Sequence, residues 1–125
     1  MPQVRGIGGV FFKSANPEAL RAWYAEHLGI KNDEYGARLP AAEPGAIWCV
    51  FPANTKYFDP SVAPFMLNFV VDDLKTALVE LRQAGVQVDE KIEEHEYGNF
   101  GWIHDPDGNR VELWEPKAAV ISESA

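Results

Sequence analysis

The stretch Trp102-Ile103-His104-Asp105-Pro106-Asp107-Gly108-Asn109-Arg110-Val111-Glu112-Leu113-Trp114-Glu115-Pro116 decides the fold of this chain. It reads as strand, tight turn, strand. Pro106 presets φ at the second position of a turn. Asp107 and Gly108 suit the positions after it, the glycine because it takes φ > 0 without a steric cost. Beyond the turn the residues alternate. Arg110, Glu112 and Trp114 share one face, Val111 and Leu113 the other. Pro116 ends the strand because it has no N–H to give a ladder. The Val111/Leu113 face reads as core. Glu112 is then a mid-strand carboxylate aimed away from the hydrophobic layer, flanked on its own face by an arginine and a tryptophan.

Upstream, one pattern occurs twice. Val4 to Lys13 reads as a strand with Phe11 and Lys13 on one side, and Val10 and Phe12 on the other. Gly8 and Gly9 within it mark a close approach by a ligand or another backbone. Asn16-Pro17-Glu18 starts a helix: an N-cap, a proline at the first helical position, and an acid near the positive end of the dipole. Leu20, Trp23, Tyr24 and Leu28 form its apolar face, and Gly29 closes it. A short strand around Tyr35 to Leu39, a Pro/Gly loop over 40–45 and a strand from Ala46 to Phe51 follow, the last with Trp48 and Val50 on one face. Pro52 to Pro64 reads as an irregular linker whose aromatics, Tyr57 and Phe58, must pack on something. The pattern then restarts with a strand from Phe65 to Val71, interrupted by Asn68. Asp72-Asp73 caps a helix with the stripe Leu74, Ala77, Leu78, Leu81 and Ala84, and Gly85 ends it. Val86 to Ile92 reads as a strand, Glu93 to Gly98 as a charged turn, and Asn99 to His104 as the strand before the terminal turn.

The two helix-ending glycines stand about 56 residues apart, so the chain is an internal repeat of strand, helix and meander. The expected class is α+β, in a single domain over residues 1–125. Its first module runs from about 4 to 54, a linker from 55 to 64, a second module from 65 to 116, and a loosely held tail over 117–125. With 46% hydrophobic and 24% charged residues, the chain has the makings of a folded core. A formal net charge of −8 argues against a nucleic-acid partner and against anionic membranes. No apolar run approaches the roughly 20 residues of a membrane span, and no charged-then-apolar leader is present, so the expected location is the cytoplasm. The single Cys49 lies in an apolar run and reads as a buried, inert thiol. No dinucleotide fingerprint, P-loop, serine nucleophile elbow or His-Glu-x-x-His helix occurs.

The two βαβββ modules carry Leu28-Gly29-Ile30 at the close of the first helix and Val71-Asp72-Asp73-Leu74 at the start of the second. With the terminal run from Asp105 to Leu113, they resemble the vicinal oxygen chelate superfamily of glyoxalase I, bleomycin-resistance proteins and extradiol dioxygenases. The resemblance extends from about Val4 to Pro116. It implies a cupped mixed sheet with helices on its outer face, and a homodimer. In the family's enzymes a divalent metal sits in the cup on inward-facing His and Glu side chains. The first such position, seven residues before the helix cap, falls on Gly9, and its counterpart in the second module on Met66. The position in the last strand of the first module falls within 48–51, where no His or carboxylate stands. A thioether is a poor ligand for Mg, Mn, Fe or Zn ions. Glu112 is the only retained ligand position, and one carboxylate does not hold a catalytic divalent ion. The expected cofactor is therefore none, with a divalent metal disfavoured.

The candidate ligand-binding residues are Glu112, Trp114, Arg110, Phe11, Trp48, Met66, Asn68 and Trp102. They would line an apolar cup that takes a small aromatic or cationic molecule, in the manner of the bleomycin-resistance branch. No catalytic residue is assigned. The competing reading is a metal-dependent lyase, isomerase or dioxygenase with a non-standard site on Glu112 and a histidine from elsewhere. A blander reading has Glu112 paired with Arg110 and the aromatics filling the cup or a subunit contact. His104, just before the turn, reads as a surface or hydrogen-bonding histidine, and His95 as part of a solvated loop; with His27, they show no metal-ligand spacing.

Overall fold

Asn16 and Asp73 set the two helices. Asn16 Oδ1 accepts the Ala19 N–H at 3.1 Å, and Asp73 Oδ1 accepts that of Thr76 at 3.1 Å. Each cap satisfies a donor that the first helical turn leaves unpaired. The computed structural model describes residues 2–28, 30–33, 36–39 and 46–117, without the side chains of residues 24, 27, 28 and 39. Its elements are β1 (Val4–Ser14), α1 (Pro17–Leu28), β2 (Ala37–Leu39), β3 (Ala46–Pro52), β4 (Phe65–Val71), α2 (Leu74–Gln83), β5 (Gln87–Val88), β6 (Glu93–His95), β7 (Gly98–His104) and β8 (Arg110–Pro116). The closing glycine of α1, the strand residue Tyr35, the 40–45 loop and the tail after Lys117 lie outside the described residues.

One mixed sheet runs in the order β2-β3-β1-β4-β8-β7-β5, with β6 paired to β7. β1 is parallel to β3 and β4 to β8, while β1 and β4 join the two modules antiparallel. That junction is close to two-fold symmetric: Gly9 pairs with Asn68, and Phe11 with Met66. Gly9 and Met66, the two equivalent first-strand positions, are thus each opposite the equivalent of the other's partner. The outer strands continue the symmetry. Phe11 is level with Cys49 on β3, and Asn68 with Glu112 on β8. Cys49 therefore occupies in the first module the place that Glu112 occupies in the second.

The terminal turn forms as its residues dictate. Asp105 Oδ1 accepts the N–H groups of Asp107 and Asn109, each at 2.9 Å, and Gly108 takes φ +82°. Asn109, by its side-chain and backbone hydrogen bonds, holds the Asp105 carboxyl below the usual carboxylate range. On the outer face, Leu74, Ala77 and Leu78 of α2 are buried, and the two leucines pack with Val71, Val111 and Leu113. α1 covers β3, where Arg21 Nη2 donates to the Val50 carbonyl at 2.7 Å. The expected apolar stripe of α1 is not fully used. Trp23 is 51% exposed, beside a shallow groove lined by Ser14, Asn16, Ala19 and Leu20. Between the helices the sheet is open: the cross-strand partners Val10 and Leu67 are both exposed.

Two segments differ from expectation: the charged turn over 93–98 holds the strand β6, paired to β7, and the strand before it is cut short. The strand expected over 86–92 shortens to Gln87–Val88; just past it the Asp89 N–H still donates to the Trp102 carbonyl at 2.9 Å, while its carboxylate bonds His104 and Arg110. The aromatics of the linker pack as expected: the segment folds back and buries Phe58 completely in the cup. Among the described residues, no helix is long and apolar enough to cross a membrane.

Candidate ligand site around Glu112

Strand parity gathers the site. Phe11, Met66 and Trp102 cluster on the concave face with the linker's Phe58, and partly buried Ile47, Cys49, Phe51, Tyr57 and Phe100 pack against them. Glu112 stands in the middle of this face, 1% exposed. Its carboxylate accepts three hydrogen bonds, each from a different element. The Tyr57 hydroxyl donates to Oε1 at 2.5 Å, the Trp102 indole N–H to Oε1 at 3.1 Å, and the Asn68 amide to Oε2 at 2.5 Å. All three donors are neutral, so none cancels the charge. Burial pushes the Glu112 pKa up from 4.5 to about 7, against the pull of the three hydrogen bonds and of Arg110. Burial and the neighbouring Glu112 likewise push the Tyr57 phenol up, so that it stays protonated and donates.

Arg110 shares the face but not the pairing. Its guanidinium carbon lies 4.6 Å from the Trp102 ring centroid and 5.6 Å from that of Tyr57. It donates to the Tyr57 carbonyl and, at 3.1 Å, to Asp89 Oδ2. Asp89 Oδ1 lies 2.8 Å from His104 Nε2. Burial disfavours the charged Asp89 carboxyl, yet the bonds from His104 and Arg110 outweigh it and hold its pKa down. Arg110 is thus neutralised by Asp89, and not by Glu112 as the blander reading had it. His104 is hydrogen-bonded and buried, so of the two readings, surface or hydrogen-bonding, the structure shows the second.

Of the eight candidate residues, Trp48 is misplaced. On β3 the residues facing the cup are Ile47, Cys49 and Phe51, and Trp48 points to the other face, edge-on to Phe12 at 5.4 Å. The error was one of parity: Trp48 shares its face with Val50, which packs under α1. Trp114 is on the cup side, stacked on Phe100 at 5.9 Å, with its N–H donated to the Tyr97 carbonyl at 3.1 Å. His95 stacks on Tyr97 at 4.9 Å and lies 3.0 Å from Glu93 Oε1. Sequence reasoning missed Tyr57 as a partner of Glu112. The only available signal was an aromatic pair in a linker with no other place to bury it.

These residues do not fit a divalent ion. Gly9 has no donor, and a Cβ there would lie 2.7 Å from the Ile47 carbonyl, so the fold leaves no room for a ligating side chain. Met66 offers a thioether, and Cys49 a thiol whose pKa burial raises to about 11. Among the described residues no group of three or more His, Cys, Asp or Glu is placed to hold a metal.

The sheet order, the module symmetry and the inward carboxylate define a cupped, two-module protein of the vicinal oxygen chelate type. The glyoxalase-like domain family matches residues 9–114, and the chain belongs to it. No curated protein matches the chain by sequence. Among solved structures, methylmalonyl-CoA epimerase from Mycobacterium tuberculosis is 25% identical at a TM-score of 0.65, covering 95% of this chain and 93% of its own. A methylmalonyl-CoA epimerase in complex with methylmalonyl-CoA and NH4+ is 16% identical at a TM-score of 0.69, covering 93% and 97%. The 2,3-dioxygenase LapB from Pseudomonas sp. KL28 is 20% identical at a TM-score of 0.68, and there 94% of this chain spans 43% of the dioxygenase.

Proposed function

We propose that this chain is a metal-independent member of its family that binds a small aromatic molecule in the cup. One observation carries the reading: Glu112 is a buried carboxylate, kept on the concave face among aromatic rings, with its lone pairs turned to neutral donors. That is the chemistry of a hydrogen-bond anchor in an apolar site. Arg110 already covers the Trp102 and Tyr57 rings. This favours a neutral or anionic planar ligand over a cationic one. The likeness to an epimerase that holds methylmalonyl-CoA supports small-molecule binding in this fold. The test is titration of the intrinsic tryptophan emission with a panel of small phenols, benzoates and heteroaromatics. Saturable quenching from Trp102 and Trp114 is expected. If the panel leaves both emission and melting temperature unchanged, the binding reading is wrong.

A second reading is favoured by the position of the Glu112 pKa near 7, where a carboxylate serves as a general base. It calls for α-proton exchange of a carbon acid such as methylmalonyl-CoA in deuterated water, lost in Glu112→Gln. A cytoplasmic homodimer completes the proposal, with the exposed Val10, Phe65 and Leu67 on the outer sheet face as its support. Sedimentation of the purified chain checks the dimer.

A further inference from the structure

We propose that Tyr57 is an internal ligand: the cup is built to take a phenol, and the segment between β3 and β4 fills it with the chain's own. The inference rests on the reading of the cup as a small-molecule site and names the class of molecule that fits it.

Every feature that would recognise a phenol is present around Tyr57. The hydroxyl donates to Glu112 Oε1 at 2.5 Å. One ring face stacks on Phe51, with centroids 5.4 Å apart and planes 11° from parallel. Trp102 meets the ring edge-on at 6.0 Å, and Arg110 places its guanidinium 5.6 Å from the centroid. A hydroxyl on a buried carboxylate, within aromatic walls and beside a cation, is a complete polar and apolar match for one phenol.

Apart from the Pro64 carbonyl at its end, which accepts the Lys13 N–H of β1 at 2.9 Å, the segment pairs with no strand. Its backbone bonds are mostly local turns: Thr55 N–H to Pro52 O at 3.0 Å, Asp59 N–H to Lys56 O at 3.1 Å and Ser61 N–H to Phe58 O at 2.9 Å. Side chains hold its middle in the cup: the Tyr57 hydroxyl and ring, the buried Phe58, and Arg110 on the Tyr57 carbonyl. Withdrawing Tyr57 therefore costs side-chain contacts that an external phenol restores, while the sheet stays intact. A ring without a hydroxyl would leave Glu112 one donor short, and a buried charged acceptor discriminates strongly against that loss.

The experiment compares wild type, Tyr57→Ala and Tyr57→Phe for binding of p-cresol and of toluene, by calorimetry and tryptophan emission. Tyr57→Ala is expected to bind p-cresol at least tenfold more tightly than toluene, and at least tenfold more tightly than wild type does. Tyr57→Phe keeps the ring but not the bond to Glu112, so it competes less well, and p-cresol should bind it about tenfold more tightly than wild type. Equal affinity of Tyr57→Ala for the two compounds, or no binding of either, overturns the inference. So does p-cresol binding that is the same in wild type and variants. If Tyr57→Ala does not fold, the comparison of Tyr57→Phe with wild type decides alone. Panel compounds that bind wild type while the variants gain nothing for p-cresol refute the internal ligand and leave the binding reading standing. Variants that gain p-cresol while wild type binds nothing support the internal ligand and overturn the binding reading.

Discussion

The Asn68 side chain occupies the space that any side chain on residue 8 would need: a Cβ on Gly8 would meet Asn68 Oδ1 at 2.0 Å and Trp114 Cε3 at 3.0 Å. Gly8 thus makes room for the amide that donates to Glu112 Oε2. Gly8→Ala should push Asn68 off the carboxylate and cost roughly 1–3 kcal/mol of stability, as overpacking in a core does. Because the Asn68 bond pulls the Glu112 pKa down, its loss should also move the titration of Glu112 further upward. Urea denaturation with a carboxyl-resolved NMR titration reads both effects. An unchanged midpoint and an unchanged Glu112 titration would show that Asn68 keeps its bond to Glu112 and that residue 8 takes the added methyl without displacing it.

Glu112 makes stability depend on pH in an unusual direction. Its folded pKa of about 7 lies above its ordinary 4.5. Below the lower value both states hold the proton, and the contribution is fully present. Between the two values the unfolded chain releases its proton first, so stability falls as pH rises, and it levels off above about 7. The full span amounts to something on the order of 3 kcal/mol. Asp89 and Glu93, whose pKa values are lowered by His104 and His95 with their basic neighbours, work in the opposite sense and lose their contribution only as pH falls through the acid range. Urea midpoints measured from pH 4.5 to 8 should therefore decline in wild type and stay level in Glu112→Gln. Parallel curves for the two proteins would remove Glu112 as the cause.

The fold was legible because its signals are local. Asn16 and Asp73 cap, Gly108 turns, and the alternation of Val111 and Leu113 against Glu112 and Trp114 assigns the two faces of β8. The same alternation puts Trp114 on the face of Glu112 and Phe11 on that of Gly9, whereas Met66 follows from the ligand spacing that the resemblance implies. The alternation was misapplied at Trp48, which it puts on the face of Val50, away from the cup-facing Ile47, Cys49 and Phe51. It had no purchase on Tyr57, because a turn segment has no period and its contacts are set by the tertiary fold. Trp23 failed for the reverse reason: a helical stripe says which residues share a face, not how much of that face is covered.

Cys49 should be nearly inert. Burial raises its pKa to about 11 against the pull of Arg21, and the charge of Glu112 adds to the rise. The thiolate is the reactive form, so at pH 8 the native thiol should react with a disulfide reagent roughly a hundredfold more slowly than a free cysteine. Unfolding in urea should restore the ordinary rate. A fast native reaction would mean that the concave side of β3 is open to solvent.

Arg110 should act as the latch on the segment that carries Tyr57. Its guanidinium joins three things that are remote in sequence: the Tyr57 carbonyl, the Trp102 ring and the Asp89 carboxylate. Among the described hydrogen bonds, Arg110→Ala removes the one that ties the Tyr57 carbonyl to a strand, leaving the Tyr57 N–H on Thr55 Oγ1 at 3.2 Å within the segment itself. It also leaves Asp89 with His104 alone. The expected loss is roughly 1–3 kcal/mol, the range for a charged hydrogen-bonding group with a partner left behind. The local effect is more specific than the global one. The Ser61 amide, bonded to the Phe58 carbonyl at 2.9 Å, should exchange its hydrogen at least tenfold faster, whereas amides in α2 should change only as far as overall stability does. A further cation at the segment, Lys13, lies over the Phe58 ring, 5.4 Å from its centroid. Uniformly faster exchange across the sheet, with no excess at Ser61, would make Arg110 an ordinary core-supporting residue and leave the segment held by Tyr57 and Phe58 alone.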